Sequence, residues 1–324
     1  PDLSGKVFAS GNLNGKWKQL RIKSKLEGEL ISYQNYHARA LELNLLPSAK
    51  SDEYTLDFQA RNISSGEQSI ELFSIHGKGN QRKHDFHFDL QGGPLETVLS
   101  ANINGNLKTK KGTWKGDLTD LHISAEDLPD YHQEQSTRIS LSKSQQNISE
   151  LCLQGPTEKF CLDGEINLAN KSFINANLKQ LPLKRLAPWI PFSKELPEQL
   201  SSEFKITGNK KIWQVDTRSE LDSNNRMDAI LSLNTDQNTV EGDITARFNK
   251  LQWINLFTEK LHQPSGKLNA NLKLSGRVAN PDVLGTIRLT DAAAHIPVTG
   301  TEIGDVNLLI DLQSNQSAIL SGKF

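Results

Sequence analysis

At 324 residues the chain exceeds the size at which a single compact core keeps growing, yet only 36% of it is hydrophobic and 6% aromatic. That is thin for a large globule and predicts an elongated body with a narrow apolar interior. The formal net charge is −1, with acids and bases interspersed, so neither nucleic acid nor an anionic membrane surface is an evident electrostatic partner.

No apolar run approaches the roughly 20 residues of a membrane span. No signal peptide is visible. The chain opens on Pro1 and closes on an unfinished alternating run, Ala318 to Phe324. It reads as a piece of a longer protein, with any membrane anchor outside it.

Short alternating runs begin at once: Leu20 and Ile22, then Leu41, Leu43 and Leu45. Tyr54, Leu56, Phe58 and Ala60 share one parity, which predicts a half-buried strand. Ile70 to Ile75 is apolar on both parities, so its buried face stays open. Gly77 to Asn80 reads as a turn. His84, Phe86, Phe88 and Leu90 lie on one face, Asp85, His87 and Asp89 on the other. Leu99, Ala101, Ile103, Gly105 and Leu107 form the next run. Strand-sized runs recur about every 10 to 14 residues, the rhythm of an all-β protein.

From Leu178 an internal repeat appears. Leu178, Leu181, Leu183 and Leu186 share their spacing with Phe248, Leu251, Trp253 and Leu256, and Leu118, Leu121 and Ile123 form a partial copy. Trp253, Leu256, Phe257 and Leu261 fit one face of a short helix. Pro182, Pro188 and Pro191 limit any helix in the earlier copy to about one turn. Ala229, Leu231 and Leu233 make a strand, and Val240, Gly242, Ile244 and Ala246 return. Leu268 to Leu274 alternate strictly, Asn280-Pro281-Asp282 predicts a turn, and Ile287 and Leu289 resume the pattern. Ala292 to Pro297 and Gly300 to Gly304 read as a bridge to Val306, Leu308, Ile310 and Leu312.

The two cysteines, Cys152 and Cys161, both fall at strand positions. With Pro156-Thr157 as a two-residue tip they face each other at a non-hydrogen-bonded pair, where Cα atoms stand roughly 4.5 Å apart, within disulfide reach. Such an isolated pair fits an oxidising compartment. Two reduced core cysteines are the alternative. Proline does not suit the mirror-image turns of two-residue hairpins, and a longer loop would shift this register.

No catalytic constellation emerges, and the chain is expected not to be an enzyme. His84 to Asp89 places His87 between two carboxylates, but a metal site would need more ligands, and a polar outer strand face explains the pattern. Gly77-Lys78-Gly79 lacks the rest of a phosphate loop. No serine has a G-x-S-x-G setting. Acidic pairs on outward parity favour solvation over glycosidase chemistry. No metal and no cofactor is expected.

Several stretches resemble the TamB family, the inner-membrane partner of the translocation and assembly module. They are Trp114 to Ile123, the paired Leu151-Cys152-Leu153 and Phe160-Cys161-Leu162-Asp163-Gly164, Leu178 to Gly208, and Ser265 to Asp291. The resemblance implies the middle to C-terminal periplasmic segment of such a protein. It also implies an all-β, elongated, strongly curved sheet trough with an apolar inner groove and a few short helical turns. One continuous repetitive segment, 1–324, is expected, with sub-segments 1–113, 114–208 and 209–324.

The groove would be lined by Leu56, Phe58, Phe86, Phe88, Ile103, Leu231, Leu233, Ile244, Phe248, Leu272, Leu274, Ile287, Leu289, Leu308 and Ile310. The resemblance implies a conduit carrying phospholipid acyl chains between the inner and outer membranes of a Gram-negative bacterium. The barrel TamA would be a partner, met outside this segment. The alternative is a binding module that holds outer-membrane-protein strands during assembly. A carbohydrate-active enzyme on a β-helix is a third reading, needing an outward carboxylate cluster.

Overall fold

The computed structural model describes residues 3–15, 21–49, 52–66, 68–93, 96–108, 112–126, 128–167, 169–186, 199–251, 253–254, 260–313 and 317–323. The chain divides into two compact units, Pro1–Pro156 and Thr157–Phe324. Among the described residues no helix is long and apolar enough to cross a membrane.

The first unit is an antiparallel meander. Its strands are β1 (Leu3–Asn14), β2 (Arg21–Tyr33), β3 (Tyr36–Pro47), β4 (Tyr54–Ser65), β5 (Gln68–Gly79), β6 (His84–Gly92), β7 (Thr97–Lys108), β8 (Thr113–Ala125), β9 (Leu128–Gln133), β10 (Thr137–Leu141) and β11 (Gln145–Gln154). Each of β1 to β8 pairs with the next. The short β9 and β10 act as one interrupted strand, since both pair with β8 and both pair with β11.

Side chains close the gap between them. Gln133 Nε2 donates to the Leu118 carbonyl and to Thr137 Oγ1, each at 3.0 Å, and Thr137 Oγ1 donates to the Glu150 carbonyl at 3.0 Å. The Leu121 N–H in turn donates to Gln133 Oε1. Thr137 is fully buried, so its hydroxyl needs these partners. The facing β8 carries a bulge: the register steps between Ser100↔His122 and Asn102↔Thr119, and Asp120 holds φ 55°.

The second unit repeats the plan. Its strands are β12 (Lys159–Asn167), β13 (Ser172–Pro182), β14 (Gln199–Gly208), β15 (Ile212–Leu221), β16 (Asn225–Asn234), β17 (Thr239–Phe248), β18 (His262–Arg277), β19 (Asn280–Ile296), β20 (Thr301–Gln313) and β21 (Ser317–Lys323). Every strand pairs antiparallel with its successor.

The all-β expectation stands. Several local expectations change. Gly77 is not in a turn but inside β5, opposite Phe86. The hairpin between β18 and β19 turns at Val278-Ala279, and Pro281 pairs with Gly276 at the start of β19. That earlier turn sets Leu274 against Val283 and keeps the apolar parity on one face. The expected bridge over 292–304 is strand on both sides of a short turn, because β19 runs to Ile296 and β20 begins at Thr301. A bulge at Asp291, φ 50°, shifts the register between Leu289 and Ala292 and returns Ala292 to the buried face beside Val306.

The internal repeat is visible as strand ends. Leu178 and Leu181 close β13, and Leu183–Leu186 form a 3-10 turn. Phe248 closes β17, and Trp253 and Ile254 lie in a second 3-10 turn. Leu118, Leu121 and Ile123 stay within β8. The predicted helical positions Leu256 and Phe257, like Pro188 and Pro191, lie outside the described residues.

The outer face of the second unit is charged and solvated. Arg226 donates from Nε and Nη2 to Asp228 at 2.7 and 2.8 Å, and Arg218, directly opposite on β15, donates from Nε at 3.0 Å. The Arg226 hydrogen bonds, with Arg218 behind them, hold the Asp228 carboxyl below its ordinary range. A carboxyl lowered on folding contributes stability above its unfolded pKa and loses it as pH falls through the folded value. Asp228→Asn should therefore cost about 0.2–1 kcal/mol at neutral pH, as exposed pairs do, and nothing in strong acid. Urea titrations at pH 7 and pH 2.5 check this.

Candidate functional site

Residues directly opposite each other in an antiparallel pair point to the same face. Register therefore shows which predicted lining residues come together. In the first unit, Leu45, Leu56, Gly77, Phe86, Ile103 and Leu118 form one row across β3 to β8. Leu43, Phe58, Ile75, Phe88 and Ala101 form the next, and Leu41, Ala60, Phe73, Leu90, Leu99 and Ile123 a third. The ambiguous run at 70–75 is thereby assigned: Phe73 and Ile75 join the apolar face.

The second unit carries matching rows. One is Ala229, Ile244, Leu272, Gly285 and Leu312, a second Leu231, Gly242, Leu274 and Val283. Ala246, Ala270, Ile287 and Ile310 make a third, and Phe248, Leu268, Leu289 and Leu308 a fourth. Leu233 faces Val240 beside them. All fifteen predicted lining residues thus lie on the apolar face of their own unit.

Fourteen of them are half-buried and keep part of their surface open. Phe248 differs. It is 6% exposed, and Trp253 lies over it with ring centroids 4.5 Å apart. Leu251 is buried too, and Trp253 and Ile254 pack on a cluster formed by Ala246, Phe248, Ala270, Ala292 and Val306. The chain's own side chains thus cover the Phe248 end of the fourth row, while Leu268, Leu289 and Leu308 along it stay half-buried.

Aromatic rings lie down on this face where glycines oppose them. A Cβ at Gly208 would meet the Trp213 ring at 2.6 Å, and Gly208 and Trp213 are register partners. A Cβ at Gly105 or Gly116, themselves partners, would meet Trp114 at 2.6 Å. Gly77 leaves the same space for Phe86. Gly208→Val should thus displace Trp213 and cost about 1–3 kcal/mol by overpacking. Urea unfolding followed by tryptophan emission would read both effects. Sequence alone missed these pairings, because they depend on the strand register and on how each ring lies over the sheet.

Trp114 Nε1 donates to His84 Nε2 at 2.8 Å, and His84 Nδ1 lies 3.0 Å from the Asn80 carbonyl. Beside them the apolar face dips into an open concavity of about 430 Å³ lined by Leu45, Tyr54, Leu56, Phe86, Leu107 and Trp114.

On the opposite face of the first unit, His87 contacts Asn102 at 2.7 Å and Asp89 at 3.1 Å, while His76 contacts Asp57 at 2.8 Å. These are polar neighbours on one strand face. Both cysteines are disulfide-bonded. The strands stop at Gln154 and resume at Lys159, so the connection is four residues rather than the expected two.

In each unit a meander of antiparallel strands with one apolar and one charged face defines the class: a repetitive β-sheet protein whose units each present a nonpolar surface. A family profile, "TamB, N-terminal domain", matches residues 1–226, and the chain belongs to the TamB family. The profile is that of the N-terminal domain, whereas the motifs had suggested the middle to C-terminal part. Among curated proteins, the chain is similar to an uncharacterised protein, BU087, of Buchnera aphidicola subsp. Acyrthosiphon pisum (strain APS), with 23% identity across 89% of this chain and 33% of that protein. The chain thus spans about a third of that relative's length. No solved structure matches it.

Proposed function

We propose that this chain is a non-enzymatic segment of an envelope-spanning lipid conduit. It works in the periplasm, within a translocation and assembly module, on a protein tethered to the inner membrane. The observation that supports the reading is the row structure of each unit: apolar side chains run from strand to strand without a charged interruption, and the larger ones other than Phe248 and Leu118 stay half open. Each CH₂ kept from water is worth roughly 0.8 kcal/mol, so an acyl chain laid along such rows avoids most of its transfer cost. Many similar weak contacts permit sliding, where one deep pocket would arrest it. Charged residues on alternate positions keep the reverse face wet. The TamA barrel would be met elsewhere on the full protein.

The test is lipid mass spectrometry on the chain purified from the periplasm of a Gram-negative host. Phospholipid at one or more molecules per chain is expected. A preparation carrying none above a control periplasmic protein would defeat the proposal. Cross-links to nascent outer-membrane proteins in place of lipid would favour the assembly-module reading.

A further inference from the structure

The concavity beside His84 and Trp114 lies at one lateral margin of the first unit, where β5 turns into β6 and β7 meets β8. That margin is cationic. Arg82 and Lys83 occupy the β5–β6 connection, Lys108 ends β7, and Lys143 lies in the β10–β11 connection; all four are exposed. The acids on that side are Asp52 and Glu53, between β3 and β4, and Asp85 and Asp117, which share a hollow with Arg82 and Lys83; Asp52 already accepts from Asn80 Nδ2 at 2.9 Å and Asp117 from Arg138 Nε at 2.9 Å. The opposite margin carries Glu96 and Glu126, and the described residues of its connections include no Lys or Arg.

Lys78 lines the concavity itself, and the rim cations follow its lining residues in the chain, Arg82 and Lys83 also bordering a polar hollow with Asp85, Asp117 and Arg138. Gln81 lines the concavity and precedes Arg82; Leu107 lines it and precedes Lys108. The Leu107 N–H donates to the Gln81 carbonyl at 2.7 Å and draws the two segments together. Asn80 Oδ1 accepts from the Arg82 and Lys83 N–H groups at 2.8 and 3.0 Å, so the turn is held by the Asn80 side chain and needs neither the Arg82 nor the Lys83 side chain. Among the described residues no hydrogen bond or ion pair occupies the side chains of Arg82, Lys83 or Lys108. An apolar hollow with uncommitted cations on one rim matches an amphiphile with an apolar tail and a negative head.

We infer that this margin seats individual phospholipids of net negative headgroup in preference to zwitterionic ones, with an acyl chain in the hollow and the head against Arg82, Lys83 and Lys108. The inference rests on the lipid-conduit reading and adds headgroup selection to it.

The chain is incubated with vesicles of equimolar phosphatidylglycerol and phosphatidylcholine of matched acyl chains. Vesicles are removed by flotation before bound lipid is quantified by mass spectrometry. The wild-type chain should carry the anionic lipid in about threefold excess or more, as a few exposed charge pairs allow. The excess should shrink as salt rises from 50 to 500 mM. Arg82→Glu/Lys83→Glu/Lys108→Glu should bring the ratio to one or below with total lipid unchanged. These side chains are exposed, so the fold is expected to tolerate the change. Equal loading of both lipids by the wild-type chain overturns headgroup selection and leaves the conduit reading intact. Enrichment that survives the triple substitution overturns the assignment to this rim. A chain that carries no lipid of either kind overturns the conduit reading and this inference with it. A rim that merely adheres to anionic vesicle surfaces yields no enrichment after flotation, and so counts against the seat.

Discussion

Arginine at Leu274, or at Phe88 in the first unit, is expected to lower phospholipid carriage about tenfold while leaving the fold in place. Tenfold corresponds to about 1.4 kcal/mol, the value of roughly two CH₂ groups kept from water. Both side chains are half-buried, lie within an apolar row and have open surface above them. An arginine there lays its methylene stem along the sheet and lifts its guanidinium toward water. The sheet keeps its hydrogen bonds, but an acyl chain then has to pass a hydrated charge. Bound lipid per chain, measured beside the urea midpoint, separates the two effects. Wild-type lipid loading in both variants, with midpoints unchanged, would remove the apolar face from the mechanism.

Phe248 predicts the contrary pattern. Phe248→Ala should destabilise the second unit by about 3–5 kcal/mol, and Leu251→Ala by about 2–5 kcal/mol, the range for large core side chains cut to alanine. Both residues are enclosed by the Trp253–Ile254 turn and the row through Ala246 and Ala270. Trp253 packs tilted against the Phe248 ring and would lose that contact. Equilibrium unfolding in urea measures the loss. A change under about 1 kcal/mol for both would mean that the turn does not close over the sheet in solution. For the same reason Phe248→Arg is a poor probe of lipid passage: it places a charge under a lid instead of on an open face.

Which parts of this architecture can be read from sequence follows from the range of the forces involved. Alternation is a local property, so the strands and the apolar parity of Leu56, Phe86, Leu231 and Leu272 are legible without coordinates. Their assembly into rows depends on register, which accumulates through every turn and bulge. The shift at Asp291 and the early turn at Val278-Ala279 could not be counted from composition. Phe248 has the parity of its neighbours and nothing local marks it as covered; the cover comes from residues three to six positions on that fold back over the sheet. Gly77, Gly105 and Gly116 look like punctuation in a linear reading. In the sheet they are the space that Phe86 and Trp114 fill, which shows only once strand register and ring orientation are known. The rim charges were visible as scattered residues, but their segregation appears only once alternate connections are known to fall on the same side.

Those recumbent rings carry a consequence for any passenger. A ring standing on edge is a post, and a moving chain must climb it. A ring laid flat over an opposing glycine is level paving, and the relief that remains is the ordinary rise and fall between strands, about 4.8 Å apart. Friction along such a surface is then small and nearly uniform. For an acyl chain that slides here as proposed, the slow events would then be boarding and departure, and kinetic control would lie there and not along the rows.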